Sequence, residues 1–183
     1  EFETLTIWHG KNKKLKKVFS QGYPHSLGLF YSAMTQRLGL TPQRDEYKVA
    51  QMAQKGDPNK FKKIIMQDII DVVPGIPKIV MKENLHRGCM WWRPEIKSKQ
   101  DLNDLAASVQ EIFETSLDVL QCWTKKRTGS KNLALAGGGA LNKTAIDKIR
   151  SNWQNVWVPQ NPGDPGSCIG AVLAKTKTKI TLD

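Results

Sequence analysis

Two short runs near the start of the chain, Leu5–Trp8 and Leu15–Phe19, carry large apolar residues around the polar segment HGKNKK, whose Gly and Asn suit a turn. The pattern predicts a β-hairpin. The next period is helical: Leu27, Phe30, Tyr31, Met34 and Leu38 recur at i, i+3, i+4, i+7 and i+11 and share one face. After the connector GYPHS, Ser26 stands at the N-cap position, and Gly39 stands where the helix should stop. Beyond Pro42, DEYKVAQMAQKGDP reads as a shorter helix closed by Gly56–Asp57–Pro58. Residues 59–71 suggest another helix, with Phe61, Ile64, Ile65 and Ile69 inward. VVPGIPKIV holds two prolines and a glycine and reads as a loop leading into a short strand; NLHRGCMWWRPEIKSK reads as irregular chain.

The clearest helix is Asp101–Lys125. Leu102, Leu105, Ala106, Val109, Ile112, Phe113, Ser116, Leu120 and Trp123 follow the 3.6 period, with Asp101 and Asp104 at the start and Lys125–Arg127 at the end, as the helix dipole favours. Gly129 is the expected stop. Strand and helix then alternate: strand Leu133–Ala136, helix Leu141–Ile149, strand Val156–Val158, helix Gly166–Lys175. That alternation predicts a layered α/β domain, and no repeat or low-complexity segment interrupts it.

With 183 residues and 39% apolar content, the chain reads as a single soluble domain, 1–183. No run approaches the roughly 18–20 apolar residues that span a bilayer, so no membrane partner is expected. The opening EFETLTIWHG has no basic head, no apolar signal stretch and no initiator Met. It looks like the inside of a strand, so a fragment or a processed piece of a longer protein is expected. Cys89, Cys122 and Cys168 are odd in number, widely spaced and without a C-x-x-C pair. They suggest reduced thiols and a cytoplasmic location (host cytoplasm if viral), not a disulfide framework or a zinc ribbon. The net charge is +11, concentrated in Lys11–Lys17, Lys125–Arg127 and Lys175–Lys179. Such clusters favour anionic partners, nucleic acid among them, or are simply solvated surface; no nucleic-acid-binding signature accompanies them.

Two glycine-rich turns carry the candidate chemistry. In LALAGGGALNK (Leu133–Lys143) a strand runs into Gly137, Gly138 and Gly139 just before a helix. Backbone N–H groups at such a junction can cradle a phosphate, with the glycines letting the main chain come close. The alternative is a tight structural turn, since neither G-x-x-x-x-G-K-[ST] nor the full G-x-G-x-x-G is present. In VPQNPGDPGSCIGAV (Val158–Val172) Asp164 lies among Gly163, Gly166 and Gly170, again between strand and helix. A carboxylate there suits a divalent metal or a helix cap through Ser167 or Cys168. Two such turns, one strand–helix unit apart, can face one crevice at the strand ends.

PHSLGLFYSAMTQRLGL, DEYKVAQMAQKGDP, NLHRG, DLAASVQ, LALAGGGALN and NPGDPGSCIGAVL resemble, in that order, successive blocks of the ATP-dependent O-carbamoyltransferases. That family includes enzymes of nodulation-factor and antibiotic biosynthesis and many members carried by bacteriophages. The resemblance spans about Tyr23–Leu173. It implies an actin/sugar-kinase/heat-shock-chaperone-like (ribonuclease H-like) subdomain with a mixed sheet flanked by helices. The chain would be the C-terminal half of the family's N-terminal domain, with residues 1–22 as a hairpin entry and 174–183 as the start of a linker. Also implied are ATP and carbamoyl phosphate as reactants, carbamoyl-adenylate as intermediate, and a divalent metal (Fe2+, Mn2+ or Mg2+). The acceptor would bear a hydroxyl on a sugar, an antibiotic or a modified nucleotide. Partners would be the missing N-terminal half and a C-terminal adenylate-forming domain. The other reading is a non-catalytic nucleotide- or nucleic-acid-binding module of the same fold.

By resemblance, Gly137, Gly138, Ala140, Leu141 and Asn142 match the family's GGVALN block against the nucleotide phosphates, with Gly139 in place of the usual valine. Asp164 matches the aspartate of GDxG, which looks like a metal ligand, and Asn161, Gly163 and Gly166 shape its loop. The family's H-x-x-x-H ligands would lie upstream; His9, His25 and His86 lack that spacing. On the acceptor side, His25 and Ser26 match PHSLG, with backbone bonding and helix capping as the alternative. Asp45, Glu46 and Lys48 match DEYKV, with a solvated first helical turn as the alternative. Where the family continues MGLAxYG, this chain has AQMAQKG, so Gln51 replaces a glycine and Lys55 an aromatic. Arg87 in LHRG points toward an anion or forms a structural ion pair; Trp91 and Trp92 stack on a ligand ring or pack in the core. No residue stands out as the general base.

Overall fold

A computed structural model describes residues 2–177. These residues form two compact units, one ending at Gly129 and the other beginning at Ser130. The described part is mixed α/β, but its strands form three separate two-stranded sheets in place of the single mixed sheet expected from the resemblance.

The first unit opens with the expected hairpin, longer than its apolar runs suggested: β1 (Glu3–Lys11) pairs antiparallel with β2 (Lys14–Gly22). Asn12 and Lys13 form its two-residue turn, both with positive φ (52° and 60°). That is the geometry whose twist matches right-handed strands. Helix α1 (Leu27–Arg37) follows the helical period, with Phe30, Tyr31 and Met34 buried and the Ser26 hydroxyl accepting from Leu29 N. Helix α2 (Glu46–Ala53) buries Val49.

The helix expected over 59–71 is cut short. Helix α3 covers Lys62–Asp68, and β3 (Ile70–Val73) follows it and pairs antiparallel with β4 (Lys78–Met81). The β-branched Ile69, Ile70, Val72 and Val73 around Asp71 favour extended chain once a partner strand exists, and Pro74–Pro77 makes the turn between them. Ile65 and Ile69 are buried as expected, whereas Phe61 and Ile64 are only half-buried.

Helix α4 (Lys99–Thr128) is the centre of this unit. The Ser98 hydroxyl caps it by accepting from Asp101 N, and Gly129, at φ 64°, ends it. From Asn103 to Gln110 it is buried on every side, because α1, α2 and α3 all pack on it. An amphipathic stripe becomes an all-round core when three neighbours surround it. Inside, Tyr31 Oη donates to Gln110 Oε1 (2.7 Å), and the Tyr31 and Phe113 rings meet edge to face at 4.9 Å, whereas Gln36 Oε1 on α1 is buried with no partner among the described residues.

In the second unit β5 (Asn132–Ala134) pairs in parallel with β6 (Asn155–Trp157), and α5 (Lys143–Arg150) connects them. The expected start of α5 at Leu141 gives way to a 3-10 turn over Gly138–Leu141, because the Asn142 side chain caps α5 by accepting from Ala145 N (3.1 Å). Leu141 is therefore exposed. Ala145, Ile146, Ile149 and Trp153 form the small core. Helix α6 (Asp164–Thr176) begins earlier than expected, with Pro165 in its first turn, where a fixed φ and a missing N–H are tolerated. Residues 178–183, most of the expected start of a linker, lie outside the described residues, as does Lys179 of the last basic cluster. Among the described residues, no helix is long and apolar enough to cross a membrane.

Candidate functional site

Parallel pairing puts the carboxyl ends of β5 and β6 on the same edge. The triple-glycine turn leaves β5 there, and the Asn161–Gly166 loop follows β6, so both turns converge as expected. They are tied together directly: Gly137 N donates to Pro162 O (2.5 Å). Gly137 has φ 96°, which only glycine adopts without strain.

The glycines around this edge are not equivalent. A Cβ on Gly166 would fall 1.9 Å from Asn161 O, so that glycine is fixed by the loop's own packing. A Cβ on Gly138 would meet nothing within 4 Å. Nothing in the chain's own packing requires a glycine at 138; its bareness leaves main chain open to the outside. Gly139 and Ala140 continue the turn, and Asn142 closes it as the α5 cap.

Gly163 is the N-cap of α6 and offers no side chain to the orphan N–H groups of the first turn. Asp164 is exposed beside them, and its carboxylate makes no hydrogen bond or ion pair among the described residues. The cap suggested through Ser167 is not formed by this carboxylate: Ser167 Oγ donates to the Asp164 backbone carbonyl (2.5 Å), and Cys168 Sγ to that of Pro165. Among the described residues, no group of three His, Cys, Asp or Glu side chains could hold a metal ion. A divalent metal at Asp164 would need further ligands, which the resemblance places upstream of this chain.

The remaining candidates lie in the first unit, and most are tied into its structure. His25 Nδ1 accepts from Met81 N (3.1 Å), anchoring the PHS segment to β4, while Ser26 caps α1. Asp45 is not in a solvated turn: it is buried, and it accepts from Thr41 N (3.1 Å) and pairs with Lys48 Nζ (3.0 Å). The Lys48 hydrogen bond, followed by that from Thr41 N, holds its carboxyl at about 2. Glu46 accepts from Ser32 Oγ (3.0 Å) and from Gln43 N, joining α2 to α1. Gln51 and Lys55, where the chain departs from MGLAxYG, are exposed. Gly56 lies so close to α4 that a Cβ there would sit 2.1 Å from Asn103 O.

Arg87 differs from these. It ends a short 3-10 turn, Leu85–Arg87, is exposed, and forms no ion pair or hydrogen bond among the described residues; the structural ion pair offered as its alternative is not formed. It lines a pocket of about 410 Å³ with Tyr23, Asn84 and His86. The sequence reading missed those three neighbours. The one available signal was Asn84, a turn-capping residue two positions before His86. The adjacent tryptophans divide: Trp91 is exposed, whereas Trp92 is buried and donates from Nε1 to Asp68 Oδ2 (3.0 Å).

The family model described as "Carbamoyltransferase N-terminus" matches residues 1–173. An uncharacterized protein of Synechocystis sp., sll1178, is 30% identical over 191 residues, covering 95% of this chain and 31% of that protein. Nodulation protein NolO of Bradyrhizobium diazoefficiens is 30% identical over 154 residues, covering 81% of this chain and 28% of the relative. Nodulation protein NolNO of Sinorhizobium fredii is 31% identical over 178 residues, covering 94% and 26%. The chain thus spans less than a third of the length of these relatives.

Proposed function

Because the chain belongs to the carbamoyltransferase N-terminal family, we propose that it forms part of an O-carbamoyltransferase and contributes the phosphate-binding edge of its nucleotide site. The observation that carries this reading is the open Gly138 main chain beside the uncapped first turn of α6, joined by the Gly137–Pro162 bond. Backbone N–H groups and the positive end of a helix there favour an anion. In this reading carbamoyl phosphate is cleaved by water to carbamate and phosphate, carbamate displaces pyrophosphate from ATP to give carbamoyl-adenylate, and its adenylate phosphate rests on this edge. An acceptor hydroxyl attacks the carbamoyl carbon, a new C–O bond forms, and AMP leaves. Fixed N–H donors at the leaving phosphate stabilise the charge that develops on it. The general base, the carbamoyl-activating step and the rest of the acceptor site belong to the remainder of the enzyme, and no step is assigned to a metal.

The test is ATP binding by this chain. Gly138→Val should abolish it, since the side chain fills the open face. Asp164→Ala should tighten metal-free binding by removing a negative charge beside the phosphates. The same change should weaken binding in Mg2+ only if Asp164 is one ligand of a metal completed by other parts of the enzyme. ATP binding indifferent to Gly138→Val would reject the reading.

A second reading, a nucleic-acid-binding module, is favoured by one feature. The β1–β2 register puts His9, Lys11, Lys14 and Lys16 on a single face of the hairpin, and these lysines are exposed and make no ion pair among the described residues. Binding through three phosphate contacts would fall with log salt at a slope of about −2.7 on duplex DNA. A flat salt response would remove it.

A further inference from the structure

The pocket at the Leu85–Arg87 turn is walled by rings and supplied with donors. Tyr23 and His86 stand edge to face, with centroids 6.2 Å apart at 79°. Asn84 is oriented by two bonds to the same atom: its Oδ1 accepts from Tyr23 Oη (2.8 Å) and from His86 N (3.1 Å). With Oδ1 so occupied, the Asn84 amide nitrogen presents its hydrogens elsewhere. Arg87 adds a guanidinium with no partner among the described residues, and no carboxylate lines the pocket. Glu83 precedes the turn but is not part of that lining.

Beneath the turn Leu85 is buried, and Gly88 holds φ 80°, with the tip of the Gln36 side chain against it. An exposed arginine is ordinarily a solvated charge. Here it stands at the end of a short turn, in an open surface depression, next to an oriented amide and an imidazole. Three donor side chains without a carboxylate match the three terminal oxygens of a phosphate monoester, which Arg can bind through two parallel N–H bonds. The Tyr23 ring offers flat apolar surface to whatever carries the phosphate.

We propose that this pocket binds a small ring-bearing phosphate monoester, a sugar phosphate or a nucleoside monophosphate, with Arg87, Asn84 and His86 on the phosphate and Tyr23 against the ring. Its identification as the hydroxyl acceptor rests on the carbamoyl-transfer reading; the phosphate selectivity of the pocket does not.

The test is a calorimetric titration of the 183-residue chain with ribose 5-phosphate, ribose and inorganic phosphate. Ribose 5-phosphate should bind saturably, inorganic phosphate more weakly, and ribose not at all. Arg87→Ala should weaken ribose 5-phosphate binding by about tenfold or more, and Arg87→Lys, which keeps the charge but loses the fork, by less. Gly138→Val, in the other unit, should leave it unchanged. The inference is overturned if ribose 5-phosphate does not saturate, if Arg87→Ala binds as the parent does, or if ribose binds equally well. Inorganic phosphate binding as tightly as the sugar phosphate would remove the ring from the site. ATP binding sensitive to Gly138→Val is read separately, so either reading can fail alone.

Discussion

Arg37, on α1, is buried, yet among the described residues its guanidinium meets no carboxylate. Its Nε donates to Trp92 O (2.6 Å), and one terminal nitrogen donates to Ile96 O (3.2 Å) and to Arg93 O. One cation thereby folds the irregular 92–96 segment against α1. Arg37→Met keeps the apolar stem and removes every donor. Trp92 and Ile96 are buried, so their carbonyls lose a partner where water is scarce, at about 1–3 kcal/mol each. Two such losses come to roughly 2–6 kcal/mol, and no longer burying a charge offsets part of it. The expected destabilisation is about 3 kcal/mol, which lowers a urea midpoint by roughly 1.5 M for a slope of about 2 kcal/mol/M. Cys89 reports on this unit alone, in a background where the exposed Cys122 and Cys168 are replaced by serine. It is fully buried and donates to Ala33 O, and burial pushes its thiol up to about 11, the Arg37 charge pulling only weakly against that. Its reaction with a thiol reagent across a urea series therefore follows unfolding. A midpoint shift under about 0.5 M would show that the carbonyls find other partners and that Arg37 does not hold the segment.

Other outcomes follow from the same structure. Asp45 has its carboxyl depressed from 3.8 to about 2, first by Lys48 and then by Thr41 N. Its contribution is complete above the unfolded value and is lost as pH falls from about 4 through about 2, so Asp45→Asn should flatten that limb of the stability curve. An unchanged slope there would reject the pairing. Lys13 holds φ 60° in the hairpin turn; Lys13→Gly should stabilise by about 0.5–1 kcal/mol, seen as a higher Tm, and a lower Tm would count against the turn geometry. Gly166→Ala should cost the second unit at least about 3 kcal/mol through its clash with Asn161 O, whereas Gly138→Ala should stay within about 0.5 kcal/mol. Equal effects on thermal unfolding would erase the distinction between a packed glycine and an open one.

Much of the local structure was legible before any coordinates. The period through Leu27–Leu38, the Ser26 cap and the long helix stopped by Gly129 depend on neighbours three and four residues away, and the structure keeps them all. The two glycine turns were also legible as a pair, because each follows a strand and precedes a helix. What failed was pairing at a distance. Ile70 and Asp71 read as the end of a helix and Val72–Val73 as loop, and all four became a strand because Lys78–Met81 came back alongside them. Leu141 looked like the start of a helix until the Asn142 cap moved that start to Lys143.

The sequence by itself determined the family, the mixed α/β character and the position of the two glycine turns, since these lie in contiguous blocks whose chemistry is local. Only the tertiary structure decided which candidate residues are already engaged. His25 and Glu46 carried two readings each along the chain, an acceptor-side group or a structural one, and the fold bonds each to a segment the periodicity does not connect to it. Arg87 read as facing an anion or as half of an ion pair; among the described residues the fold leaves it unpaired and places Tyr23, 64 positions upstream, against its turn. Hydrogen bonds and charges act over a few ångströms whatever the sequence separation, so the engagement of a polar side chain is settled only when distant segments come together.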